Sequence, residues 1–147
     1  MSLKDQITED MKSAMKARDK DRLKVVRLIL AAIKQIEIDK RIELDDAAVL
    51  SVLDKMVKQR RDSIEQFLNG DRKDLAEIEQ AEIAVLDTYL PERLSDTELD
   101  ALIDEAISAT GAESIRDMGK VMGQIKSKAA GRADMGTVGA KVKARLG

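Results

Sequence analysis

Between Leu23 and Ile36 the chain places apolar side chains on nearly every side of a helix: Leu23, Val25, Val26, Leu28, Ile29, Leu30, Ile33 and Ile36. A helix with so little polar circumference must lie inside a bundle. The neighbouring segments are one-sided, as the helices that would cover it should be. Leu3, Ile7, Met11 and Ala14 recur at helical spacing and predict a first helix to about Ala17. After the charged hinge Arg18–Asp21 comes the central helix, which breaks at Lys40–Asp46. Asp45 or Asp46 can cap a third helix carrying Val49, Leu50, Leu53, Met56, Val57, Ile64, Phe67 and Leu68, with a left-handed stop expected at Asn69-Gly70-Asp71. A fourth, from about Asp71 to Leu90, should turn Leu75, Ile78, Val85, Leu86 and Tyr89 inward.

Pro91, the single proline, disfavours helical geometry at Leu90 and marks a boundary. Beyond it three shorter helices are expected. Ser95 or Asp96 caps one that Gly111 stops. Ser114 caps a second, with Ile115, Met118, Met122 and Ile125 inward. Asp134 caps a third, with Met135, Val138, Val142 and Leu146 inward. No segment alternates with the period of a strand. The fold class is therefore all-α: an N-terminal bundle of about four helices over residues 1–91 and a C-terminal three-helix subdomain over residues 92–147.

Composition narrows the chemistry. The chain has no Cys and no His, which removes disulfides, thiolate metal sites and the commonest general base. Phe67 and Tyr89 are the only aromatics, too few to stack successive bases of a single strand. Glu77, Glu79 and Glu82 form a dense acidic face, but carboxylate-bridged di-metal sites in helical bundles draw on Glu-x-x-His, and there is no His. The Ser and Thr residues fall mostly at predicted caps, and no phosphate-cradling glycine loop is present. Neither catalysis by this chain alone nor a cofactor or metal is expected. Arg60 interrupts the apolar stripe of the third helix. The simplest account is an arginine whose stem covers the core edge while its head meets a carboxylate; the alternative is an anion site with Lys58 and Arg61 shared between subdomains. No apolar run reaches a membrane span and the N-terminus lacks a signal pattern, so a cytoplasmic protein is expected.

The overall charge of −2 hides a strong asymmetry: residues 1–70 carry a net +2, residues 71–110 a net −9 and residues 111–147 a net +5. The basic tail contains the run Ser114–Gly136. Gly119 and Gly123 lie four apart and share a helix face. Lys120, Lys126, Lys128 and Arg132 cluster beside them. Gly131 can end that helix in a left-handed conformation, leaving Arg132 on a short corner. Such a face admits either a closely packed helix or a phosphate backbone. From spacing alone, helix packing with solvated lysines is the simpler account.

The motifs Asp117-Met-Gly-Lys-Val-Met-Gly123 and Gly131-Arg-Ala-Asp134, followed by Val138 and Val142, resemble the signature of the GatB/YqeY family. So do Asp10-Met-Lys-Ser-Ala-Met-Lys16, Arg27-Leu-Ile-Leu-Ala-Ala-Ile-Lys34, Lys58-Gln-Arg-Arg-Asp-Ser-Ile64 and Tyr89-Leu-Pro-Glu-Arg-Leu94. The resemblance spans essentially the whole chain and implies the same helical layout. The C-terminal part is also similar to the tail of the B subunit of glutamyl/aspartyl-tRNA amidotransferase, which grips tRNA while other domains form the amide.

Carried over residue by residue, the resemblance implies tRNA contacts at Lys120, Gln124, Lys126, Lys128 and Arg132, with Gly119, Gly123 and Gly131 allowing close approach. One departure stands out: where those tails continue Arg-Ala with Asn-Pro, this chain has Asp134-Met135. The expected function is a non-catalytic tRNA-binding module associated with tRNA-dependent amidation or aminoacylation, with an amidotransferase or aminoacyl-tRNA synthetase as candidate protein partner. The family's association with glutamine-dependent carbon–nitrogen ligase chemistry finds no residues here to perform it. The alternative is a protein–protein adaptor that receives a partner helix on the Gly119/Gly123 face.

Overall fold

A computed structural model describes all residues from Met1 to Gly147. The chain is all-α: α1 (Leu3–Ala17), α2 (Lys20–Lys40), α3 (Asp46–Asn69), α4 (Lys73–Asp87), α5 (Asp96–Thr110), a 3-10 turn (Ile115–Asp117), α6 (Met118–Ala129) and α7 (Met135–Leu146). It divides into two compact units, Met1–Leu90 and Pro91–Gly147.

Four of the seven α-helices, α1, α2, α3 and α5, begin where a polar side chain satisfies a free amide. Ser2 and Ser95 each form a reciprocal capping box, with Asp5 and Glu98 respectively. Asp19 and Asp45 accept from Arg22 N–H and Ala48 N–H. Gly111 ends α5 in the left-handed region at φ 66°. At the end of α3 the left-handed residue is Asp71 at φ 57°, not Gly70, which keeps φ −89°. Asp134 occupies the N-cap position of α7, but its carboxylate makes no capping bond to a backbone amide and instead accepts from the Thr137 hydroxyl at 3.1 Å.

In the first unit α2 buries Val25, Val26, Ile29 and Ile33 against Ile7, Val49, Leu53, Val57 and Leu86. The helix is not surrounded, however. Lys20, Lys24, Arg27, Leu28, Ala31 and Lys34 are exposed, so the near-continuous apolar pattern overstates its burial. α4 is also rotated from the expected phase. Ile78 faces solvent and Ala76 is buried, because Glu79 and Glu82 turn toward α3. There the Arg60 Nε donates to Glu82 Oε2 at 3.1 Å and lies 3.9 Å from Glu79, with Arg60 Nη1 donating to the Met56 carbonyl. The stem of Arg60 covers the core edge and its head meets carboxylates.

Two polar ties close this unit. Lys4 Nζ reaches Glu37 Oε2 at 2.9 Å, and the same carboxylate accepts the Leu44 amide at 2.9 Å. Tyr89 Oη donates to Asp10 Oδ2 at 2.5 Å and accepts from Arg22 Nη2 at 3.5 Å. Tyr89 thereby fastens the end of this unit to α1 and α2. In the second unit α5, α6 and α7 share an aliphatic core of Leu99, Ile103, Val121, Ile125, Val138 and Val142. Ile115, expected inward, is exposed because it sits in the 3-10 turn ahead of α6.

Burial, reinforced by the neighbouring Asp10 carboxylate, pushes the Tyr89 phenol up to about 12. In the unfolded chain it should titrate near ~10. The unfolded state therefore loses its proton first. The contribution of Tyr89 to stability is complete below the unfolded value and is lost as pH rises toward the folded one. As the only tyrosine, it can be followed alone by phenolate absorbance. The midpoint is expected well above that in denaturant, and Asp10→Asn should lower it; equal midpoints in native and denatured chain would contradict the tie.

Candidate nucleic-acid interface

α6 buries Val121, Ile125 and Ala129. With about 100° per residue, this leaves two wet flanks. Gly119, Gly123 and Lys126 share one. Lys120, Gln124 and Lys128 share the other, which borders α5: Gln124 and Lys128 line a small cleft with Leu102, Glu105 and Ala106. The basic cluster and its glycines therefore fall into two groups.

On the first flank the backbone is bare. A Cβ built on Gly119 or Gly123 would meet no atom within 4 Å. The glycines thus make no room for a helix of this unit, and packing within the unit does not explain them. Lys126 beside them is exposed and takes no part in the ion pairs that α6 and α7 make with α5.

The second flank is compensated. Lys128 Nζ lies 3.5 Å from Glu105 Oε1. Arg132, on the corner after α6, donates from Nε to the Glu92 carbonyl at 2.9 Å, and its own carbonyl accepts the Leu94 amide at 2.8 Å. It thereby clamps the segment that leads into α5. Gly131, at φ 73°, makes this turn possible. Lys128 and Arg132 line an open cleft of about 500 Å³ with Leu94, Leu102, Glu98 and Glu105. The Glu98 carboxyl is held below its ordinary value, chiefly by hydrogen bonding to Ser95, with the charge of Arg132 a smaller cause. The Asp117 carboxyl is likewise lowered, chiefly by the Glu113 amide that it accepts from and least by the charge of Lys120.

The basic residues of α7 divide in the same way. Lys141 Nζ pairs with Asp100 at 3.1 Å, and Arg145 pairs with Asp100 and Asp104. Lys143 is exposed and belongs to none of these pairs. In the sequence it is one basic residue of the tail among several. The phase of Val138 and Val142 is the signal that distinguishes it, since it turns residue 143 outward.

A family model described as Yqey-like protein matches residues 4–146. The chain belongs to the YqeY-like family. Curated relatives include proteins named altered inheritance of mitochondria protein 41, mitochondrial. The one from Pyrenophora tritici-repentis is 36% identical over 126 residues, covering 84% of this chain and 69% of its own length. Its counterpart from Kluyveromyces lactis is 33% identical over 140 residues, covering 94% and 72%, and that from Lachancea thermotolerans is 37% identical over 105 residues, covering 69% and 56%. In this YqeY-like chain no helix is long and apolar enough to cross a membrane.

Because their Cβ atoms would enter open space, Gly119→Ala and Gly123→Ala should each stabilise the second unit by about 0.5–1 kcal/mol, the helix-propensity difference. Urea unfolding followed by circular dichroism measures this. Destabilisation by either change would show that the bare face is packed in solution.

Proposed function

We propose that this YqeY-like chain is a non-catalytic helical RNA-binding module whose target is the structured body of tRNA, associated with tRNA-dependent amidation or aminoacylation. The observation that carries this reading is the flank of α6 on which Gly119 and Gly123 leave the backbone open beside the unengaged ammonium of Lys126. A phosphate backbone can approach such a surface to hydrogen-bonding distance, while a lysine supplies a point charge. The net +5 of residues 111–147 supports attraction to a polyanion. Lys120 and Gln124 extend the contact around α6. Lys128 and Arg132 join it by exchanging Glu105 and the Glu92 carbonyl for phosphate oxygens. The likeness of this region to the amidotransferase tail supports tRNA over other polyanions.

The adaptor reading uses the same open glycines, with a partner helix in place of RNA. In that case Gly123→Leu should abolish a complex that survives nuclease treatment.

If RNA is the partner, combining Lys126→Ala, Lys128→Ala and Arg132→Ala should weaken tRNA binding with helicity retained. The log–log salt slope should become shallower by roughly one for each phosphate no longer engaged. Glu105→Gln, which releases Lys128, should tighten binding. Unchanged affinity in the triple variant, measured by fluorescence anisotropy, would remove this surface.

A further inference from the structure

α2 carries a second cationic surface, on the other unit of the chain. Taking Lys20 as the origin and about 100° per residue, Lys20, Lys24, Arg27, Ala31 and Lys34 lie within one band along the outside of the helix. All are exposed. The carboxylates of the same helix, Asp21, Glu37 and Asp39, fall on either side, about 100° from the centre of the band. Lys24 makes one loose pair, 3.8 Å from Glu82, while remaining 65% exposed. Lys20, Arg27 and Lys34 enter none of the ion pairs of this unit. Lys20, Lys24 and Arg27 line an open depression of about 510 Å³ together with Leu23, Leu28 and Ala31.

The order of residues across the band identifies what it fits. A partner helix would want an apolar seam in the middle with charges at its margins, and a lipid surface would want an apolar wedge there. Here the cations hold the middle over most of the length. Leu23 and Leu28 lie at the margins, and only Ile38, in the last turn, puts a large apolar side chain in line. No aromatic is available to stack a base. From Lys20 to Lys34 the row extends about 21 Å at 1.5 Å per residue, long enough to follow several phosphates. We infer that the outer face of α2 is a second phosphate-backbone surface, so that structured RNA is held by both units of the chain. This rests on the RNA reading above and extends it to residues that the C-terminal motifs do not include.

The test compares two variants of the full chain with the parent, by anisotropy against bulk tRNA and a short RNA duplex across a salt series. One combines Lys20→Ala, Arg27→Ala and Lys34→Ala; the other is the triple variant of α6 and its corner. Alanine at exposed helix positions should preserve α2, which circular dichroism verifies. Arg27→Gln alone is the second variant should the triple one lose helicity. The α2 triple variant should lose on the order of tenfold or more in affinity at low salt and about two to three from the salt slope; Arg27→Gln should lower the slope by about one.

Loss of affinity in both triple variants supports two surfaces. Loss in the α2 variant alone supports this inference and overturns the C-terminal surface. Loss in the C-terminal variant alone overturns this inference and leaves the RNA reading standing. Absence of RNA binding by the parent overturns both. Binding of the parent to phosphatidylglycerol vesicles but not RNA, lost in the α2 variant, makes the face a lipid surface and overturns the inference.

Discussion

Aliphatic side chains packing without polar company hold each unit together within itself. Their cores contain Ile, Val, Leu, Ala and Met, and no polar or charged residue is buried. Such cores place no polar group in need of a buried partner. What distinguishes this chain from any other aliphatic helical bundle therefore lies on its surface, in how charges are paired and where they are left alone.

The pairing is selective. In the second unit α5 supplies Asp96, Asp100, Asp104 and Glu105, and these engage Lys141, Arg145 and Lys128. The flank of α6 that carries the exposed glycines lies away from this screen, and Lys126 keeps its charge available. In the first unit Arg60 is drawn inward between Glu79 and Glu82, while the cations along the outside of α2 stay open to solvent. The exposed pairs that α5 makes with α6 and α7 contribute little to stability. Their larger consequence is to decide which lysines and arginines meet a polyanion first.

Much of this architecture is legible in the sequence, for local reasons. Helix ends depend on one or two residues, so Ser95, Gly111 and Asp45 can be read directly. Helix existence follows from the apolar period. The errors come where tertiary contacts set the phase. Ile78 is exposed because the carboxylates of α4, which read as a solvent face, turn toward Arg60. Ile115 belongs to a 3-10 turn, whose side chains do not continue the 3.6-residue stripe of α6. The outer face of α2 is hidden by the apolar residues interleaved with its cations. At the candidate interface the glycines, the basic cluster and the Gly131 turn are visible in sequence. The division of the cluster into an open flank and a compensated one is not, because it depends on which flank of α6 borders α5.

The most direct test of RNA recognition is titration of the purified chain against tRNA and a length-matched duplex at several salt concentrations. Saturable binding that prefers tRNA and weakens with salt is expected. About four phosphate contacts on the C-terminal surface give a log–log slope of roughly −3, and engagement of α2 makes it steeper. No binding at low salt would contradict RNA recognition and leave the open glycine face to a protein partner.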